Sequence, residues 1–173
     1  MKNTYIFLDE NTIEVKATQN QAFIIDVDDL PLVASYSSWQ ADFNKTGNSY
    51  YIRHTLREKG KKKKTLKLHR VIAGIIDVNI HVDHIDGNTL NNRRSNLRSC
   101  TRNGNNQNRG KGKYSTTGHK NIHWSKLNQN YVLYITTNSV RKTYGTFVDI
   151  NDAIAKRNEL LLILHGEFAN ITD

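Results

Sequence analysis

The stretch Val82-Asp83-His84-Ile85-Asp86-Gly87-Asn88, followed by Ser95-Asn96-Leu97-Arg98 and then Asn105, decides how this chain is read. It sets a carboxylate, an imidazole and two amides at fixed spacings. Asp-Gly at Asp86-Gly87 and the amide pair Asn91-Asn92 are turn formers, because Gly takes positive φ and Asx side chains bond their own backbone. A loop therefore separates two short apolar-bearing runs, Ile80 to Ile85 and Asn96 to Cys100, which read as paired strands. Thr101 is placed to cap a short helix carrying Asn105. The order is strand, loop, strand, helix. Asp83 is of the type that holds a divalent cation, and His84 of the type that deprotonates a water. Asn96, twelve residues past His84, is placed to hold its ring, and Asn105 to complete a metal site.

That arrangement resembles the HNH nucleases, the ββα-metal group, and within it the phage homing-endonuclease branch. The resemblance implies a metal ligand at Asp83, a general base at His84, an orienting amide at Asn96 and a second metal ligand at Asn105. Many members carry His at the last position; Asn here matches the homing branch. Gly104 inside the short helix is a departure, costing about 1 kcal/mol relative to Ala, and it leaves Asn106 and Asn108 as alternative registers. Leu68-His69-Arg70-Val71-Ile72 resembles the helix that precedes the motif in that branch. The cofactor implied is one Mg²⁺ or Mn²⁺ per site.

The 173 residues suffice for one ordinary domain or two small ones. The formal net charge is +9 and the pI about 9.7, which points to a polyanion, double-stranded DNA above all, as partner. Hydrophobic content of 37% with a mean hydropathy of −0.65 favours several small modules over one large core. No apolar run approaches the roughly 20 residues of a bilayer span, and the N-terminus lacks a signal pattern. The expectation is a protein without a membrane partner, in the cytoplasm or on the nucleoid, of the host cell if phage-encoded. Cys100, the single cysteine, allows no internal disulfide or Cys-x-x-Cys knuckle. His81-x-x-His84 has no second pair at finger spacing, so no structural zinc is expected.

The fold class expected is α+β: a β-rich N-terminal region leading into the ββα motif, then a small module of three strands and a helix. Alternation marks Tyr5 to Leu8, Ile13 to Lys16 and Ala22 to Val27 as strands, and Asp28 to Pro31 as a turn or helix start. Trp39 reads as a core anchor. Ser49 to His54 and Thr65 to Leu68 read as a hairpin whose tip bears Lys61, Lys62, Lys63 and Lys64, either a solvated loop or a phosphate clamp. The domain reading is 1–108 for the nuclease with its extension, 109–117 for a basic Gly-rich linker, and 118–173 for the second module.

In that module Lys120 to Trp124, Asn130 to Thr137 and Val140 to Phe147 read as strands. Asp149 caps a helix with Asp152 as a capping-box variant, and Gly166 ends it. Ile150, Ala153, Ile154, Leu160, Leu161 and Leu164 make its apolar stripe, and Trp124 reads as core. Gly118-His119-Lys120-Asn121-Ile122, Tyr144-Gly145-Thr146-Phe147 and His165-Gly166-Glu167-Phe168-Ala169-Asn170 resemble the DNA-binding domain of plant ethylene-response factors. The resemblance implies that the open sheet face enters the major groove and presents Lys120, His123, Tyr134, Thr136, Arg141 and Thr143. Arg141 is the one arginine retained there, so the plant target sequence does not carry over.

The function expected from both resemblances is a sequence-specific, metal-dependent DNA endonuclease of the phage HNH homing type, monomeric by expectation. Two alternatives stay open: a type II restriction endonuclease acting as a dimer, and a DNA-binding regulator whose nuclease motif is idle.

Overall fold

The computed structural model describes residues 1–112 and 115–172. Lys113 and Tyr114, within the stretch read as a linker, and Asp173 lie outside them. The structure is α+β. Its elements in chain order are β1 (Tyr5–Phe7), β2 (Thr12–Lys16), β3 (Ala22–Asp26), α1 (Leu30–Ala34), β4 (Gln40–Asn44), β5 (Ser49–Leu56), β6 (Lys64–Lys67), α2 (Leu68–Ile72), β7 (His81–His84), β8 (Leu97–Cys100), α3 (Arg102–Asn108), β9 (Ile122–Ser125), β10 (Asn130–Thr137), β11 (Val140–Phe147) and α4 (Ile150–His165). The chain divides into two compact units, Met1–Thr101 and Arg102–Asp173. Helix α3, read from sequence as part of the nuclease region, thus groups with the second unit.

In the first unit, β1-β2-β3 and β4-β5-β6 are antiparallel three-stranded sheets, and β7-β8 is a two-stranded ribbon. The expected hairpin over the lysine tip is β5-β6, paired from Arg53↔Lys67 to Leu56↔Lys64. The alternation of β2 and β3 sends Ile13, Val15, Phe23 and Ile25 into one core with Val33, Trp39, Ile52, Leu68 and Ile72. Trp39 is fully buried, as its sequence context indicated, and its Nε1 donates to Val33 O at 2.9 Å. Burying an indole without that bond would leave a polar atom unpaired, at a cost of about 1–3 kcal/mol. Leu90 and Leu97, from either side of the motif's loop, pack against the same core. The β-rich extension is therefore the platform on which the loop rests.

In the second unit, β10 is the central strand between β9 and β11. Leu133 and Ile135 are buried against α4 with Ile122, Ala153 and Leu161, while Tyr131, Ile154, Leu160 and Leu164 fill the margin. Trp124 packs its ring on Tyr131 at 4.7 Å. Asp149 caps α4, its Oδ1 accepting from Asn151 N at 2.7 Å, and Gly166 closes it at a φ of 54°. Sequence periodicity missed one thing: the inward row of α4 runs Ala153, Arg157, Leu161, His165, all buried. Arg157 ends this burial on polar partners, with Nη2 bonding Asn158 Oδ1 at 2.8 Å and Ile171 O at 3.4 Å.

Candidate active site

The loop between β7 and β8 is a knot of amides and carboxylates. Gly87 takes a φ of 74°, so the chain reverses at a position that suits glycine. Asp86 Oδ1 accepts from Asn88 N at 2.8 Å and from Asn96 Nδ2 at 2.9 Å, and Oδ2 accepts from Asn91 Nδ2 at 2.8 Å. Asn96 also bonds Asp86 N through Oδ1 (2.9 Å) and Asn91 O through Nδ2 (2.8 Å). The platform grips the knot from below. Ile24 N donates to Leu90 O (3.0 Å), and Asn92 N to Ile24 O (2.9 Å). Asp26 takes Arg93 Nε and Arg94 N, both at 2.7 Å. Arg94 reaches Asp29 at 2.6 Å, and Thr89 Oγ1 donates to Tyr50 O.

Strand β7 presents Asp83 and His84, both buried. Asp83 is the cross-strand partner of Arg98, and the guanidinium engages Oδ2 through Nη2 at 2.9 Å and Nε at 3.1 Å. A carboxylate can be buried at low cost only when so paired. The pair fixes the direction of Asp83 on the ribbon.

His84 lies in a cluster of rings, 5.1 Å from His69 and 6.3 Å from Tyr51, with Tyr51 and His69 5.7 Å apart. Burial lowers the pKa of His84 below its ordinary value, and Asn92, Asp86 and Asp83 pull in the opposite direction. At neutral pH the ring is therefore neutral and able to accept a proton. His69 is pushed down to about 3 by burial first, then by the charges of His84, Lys67 and Arg70.

A second amide, Asn92, stands near His84. Asn92 Oδ1 lies 3.5 Å from His84 Nε2, while the side chain of Asn96 bonds Asp86 and Asn91. Asn96 thus braces the loop, and Asn92, fully buried, stands beside the imidazole. A bond from Nε2–H to Asn92 leaves the lone pair on Nδ1, the tautomer a base needs. The pair Asn91-Asn92, read from sequence only as a turn former, also supplies this amide.

Asn105 is half-buried on α3, Asn106 is exposed, and Gly104 and Asn108 are buried. Gly104 is explained by packing. A Cβ there would stand 3.0 Å from the ring of Phe168, so glycine admits the aromatic side chain, and this offsets its poor helix propensity. Among the described residues, no group of three or more His, Cys, Asp and Glu is placed to hold a metal ion. The two residues expected from sequence as metal ligands, Asp83 and Asn105, carry a carboxylate and an amide oxygen, each of the hard donor type that suits a divalent cation.

The open face of the second unit gathers four of the six residues read as DNA contacts. His123, Tyr134, Arg141 and Thr143 line one shallow groove. Thr136 faces Arg141 across the β10–β11 pair. The guanidinium of Arg141 lies 3.2 Å from the centroid of the Tyr134 ring, a cation–π contact. Lys120 is not in this groove. Its ammonium bonds the carbonyls of Gln107 (2.8 Å), Asn106 (3.4 Å) and Arg109. Burial, then the charges of Arg109 and Arg157, push its pKa down to about 8. Lys61, Lys62, Lys63 and Lys64 are all exposed at the β5–β6 tip, with Lys61 paired to Glu58.

No curated protein and no solved structure matches the chain. The model of one family does, over the segment that runs from the last residue of β6 to within one residue of the end of α3. Residues 67–107 match the HNH endonuclease family, and the chain carries an HNH endonuclease domain there.

Proposed function

We propose that this chain is a metal-dependent endonuclease of double-stranded DNA, of the phage homing type, whose second unit reads the target sequence. The observation that carries the reading is His84: a buried, neutral imidazole beside Asp83, within a segment that matches the HNH endonucleases. His84 takes a proton from the attacking water as the new P–O bond forms and the bond to the leaving 3′ oxygen breaks. Asn92 holds the ring's tautomer. Asp83, kept in direction by Arg98, and Asn105 are the residues that would hold Mg²⁺ or Mn²⁺. When bound, such an ion supplies Lewis-acid stabilisation of charge on the departing oxygen. The products are 5′-phosphate and 3′-hydroxyl ends.

The groove on the second unit supports base reading by Arg141, since a guanidinium held on an aromatic ring is pre-set for a bidentate contact to guanine. The exposed lysine tip supports phosphate contacts, which steer without reading sequence. Among the described residues no helix is long and apolar enough to cross a membrane. The proposed setting is the cytoplasm or nucleoid of the cell that expresses the protein, and the proposed active form a monomer. The deciding assay incubates supercoiled plasmid with the purified chain and Mg²⁺ or Mn²⁺. Nicked or linear DNA that disappears with excess chelator supports the reading. Intact plasmid with either ion, despite retained DNA binding, would leave the protein a regulator with an idle motif.

A further inference from the structure

Helix α3 completes the nuclease motif in the chain, and it makes the following contacts within the second unit. Gly104 receives the ring of Phe168. Asn170 Nδ2 donates to Asn108 O at 2.7 Å. Asn103 Nδ2 reaches Asn138 Oδ1 at 3.3 Å. Lys120 Nζ meets the carbonyls of Asn106, Gln107 and Arg109. Each of these contacts addresses a physical need of a seven-residue helix. So short a helix is marginal alone. Its last carbonyls have no intrahelical donors, and its C-terminal end favours a cation. An ammonium has three donors and no acceptor, and here it meets three carbonyls around the helix end. Phe168 and Asn170 belong to the segment His165 to Asn170 that the sequence singled out as part of a DNA-binding module. In this molecule that segment also grips α3.

We propose that Lys120 is a positioning residue for α3: it holds the last turn of that helix and thereby sets Asn105, the residue to which the endonuclease reading gives a metal-holding role. The inference rests on the endonuclease reading above for the role of Asn105. It assigns no DNA contact to Lys120, whose ammonium is already spent on backbone. It also means the second unit is more than an address tag. A change there that loosens α3 would lower cleavage without touching the groove that meets bases.

The test uses the full chain with Lys120→Met, which keeps the aliphatic length and removes the charge, and Lys120→Arg, which restores donors. Amide hydrogen exchange over α3, read by mass spectrometry, reports the helix itself and needs no activity. Cleavage is measured over a metal titration, and binding to a target duplex in parallel. The expected result for Lys120→Met is faster exchange confined to α3 and its carbonyl partners. Half-saturating metal should rise, or kcat fall, by about 10–100-fold, the usual effect of losing a residue that orients a ligand. KM and duplex affinity should be unchanged, and Lys120→Arg should recover both helix protection and metal response. If Lys120→Met does not fold, Asn170→Ala, which removes one bond to Asn108 O, is expected to give the same pattern at smaller size. Wild-type exchange in α3 together with a wild-type metal titration would overturn the proposal. So would a uniform fall in duplex affinity with cleavage per bound complex unchanged, which would make Lys120 a phosphate contact. A wild-type chain that never cuts overturns the endonuclease reading instead, and exchange then still decides whether Lys120 holds the helix.

Discussion

The ribbon and loop from His81 to Cys100 and the open face of β9 to β11 are both rich in polar residues, but they use them in opposite ways. In the ribbon and loop, Asp83, His84, Asp86, Asn91, Asn92, Asn96, Arg93 and Arg98 bond one another or the platform beneath. On the sheet face, His123, Arg141 and Thr143 are exposed and line an open groove. Polar groups paired inside a structure hold a shape, because leaving them unpaired when buried costs more than the bond returns. Polar groups turned to solvent keep their capacity for a partner. The loop is thus built to hold its shape, and the face keeps the capacity for the reading role proposed for it. Substitutions should separate along that line: rate and stability in the first region, sequence preference in the second.

The largest effect belongs to the ring at the centre of the loop. His84→Ala should bind target DNA normally and lose roughly 10²–10⁴-fold in cleavage rate, the range for a positioned general base. Single-turnover cleavage with saturating enzyme checks this, and near-normal rates would break the contrast by making the loop merely structural.

The two asparagines sharpen it. Asn96→Ala removes the acceptor of Asp86 N, the donor to Asn91 O and one of the two donors to Asp86 Oδ1, and should destabilise the first unit by about 1–3 kcal/mol, visible in denaturant unfolding. Asn92→Ala should act on rate instead. The Asn92 bond raises the pKa of His84, so its loss should shift the acid limb of the pH–rate profile to lower pH while the rate itself falls. If Asn92→Ala leaves the profile in place and Asn96→Ala moves it, the assignment of these two amides is reversed.

On the face, Arg141→Ala should cost about 1–3 kcal/mol of discrimination at one or two base pairs and leave cleavage of a bound complex intact. Equal loss on target and scrambled duplexes, measured at several salt concentrations, would reduce Arg141 to a phosphate anchor.

The last effect, absent at neutral pH, is acid sensitivity of the platform. His69 has a folded pKa of about 3 against 6.5 for the free side chain. Between those values the unfolded chain binds a proton that the folded one refuses. Stability should therefore be level above about pH 6.5 and fall below it by at most about 1.4 kcal/mol per pH unit from this residue. Melting of His69→Phe, which keeps a ring between Tyr51 and His84, should show a shallower slope. An identical slope would mean that His69 is not held neutral.

Local rules made much of this molecule legible in its sequence. Period-two alternation located β2, β3, β10 and β11, Asp149 and Gly166 marked the ends of α4, and Asp86-Gly87 marked the turn of the nuclease loop. The string from Asp83 to Asn105 carries the resemblance to the HNH nucleases, and it lies within the residues 67–107 that match that family. Those signals are local because strand alternation, caps and positive-φ turns depend on residues a few positions apart. What each polar side chain touches was decided only in three dimensions. Asn92 stands by His84, since the platform at Ile24 pulls the loop's backbone into place. Arg98 pairs with Asp83 through strand register, and Gly104 makes room for a phenylalanine 64 positions away in the sequence. Lys120, read as a base contact, lies at the end of a helix because burial favours any donor that satisfies free carbonyls. Sequence spacing names the candidates for a role; the tertiary fold, which must pair every buried polar group, chooses among them.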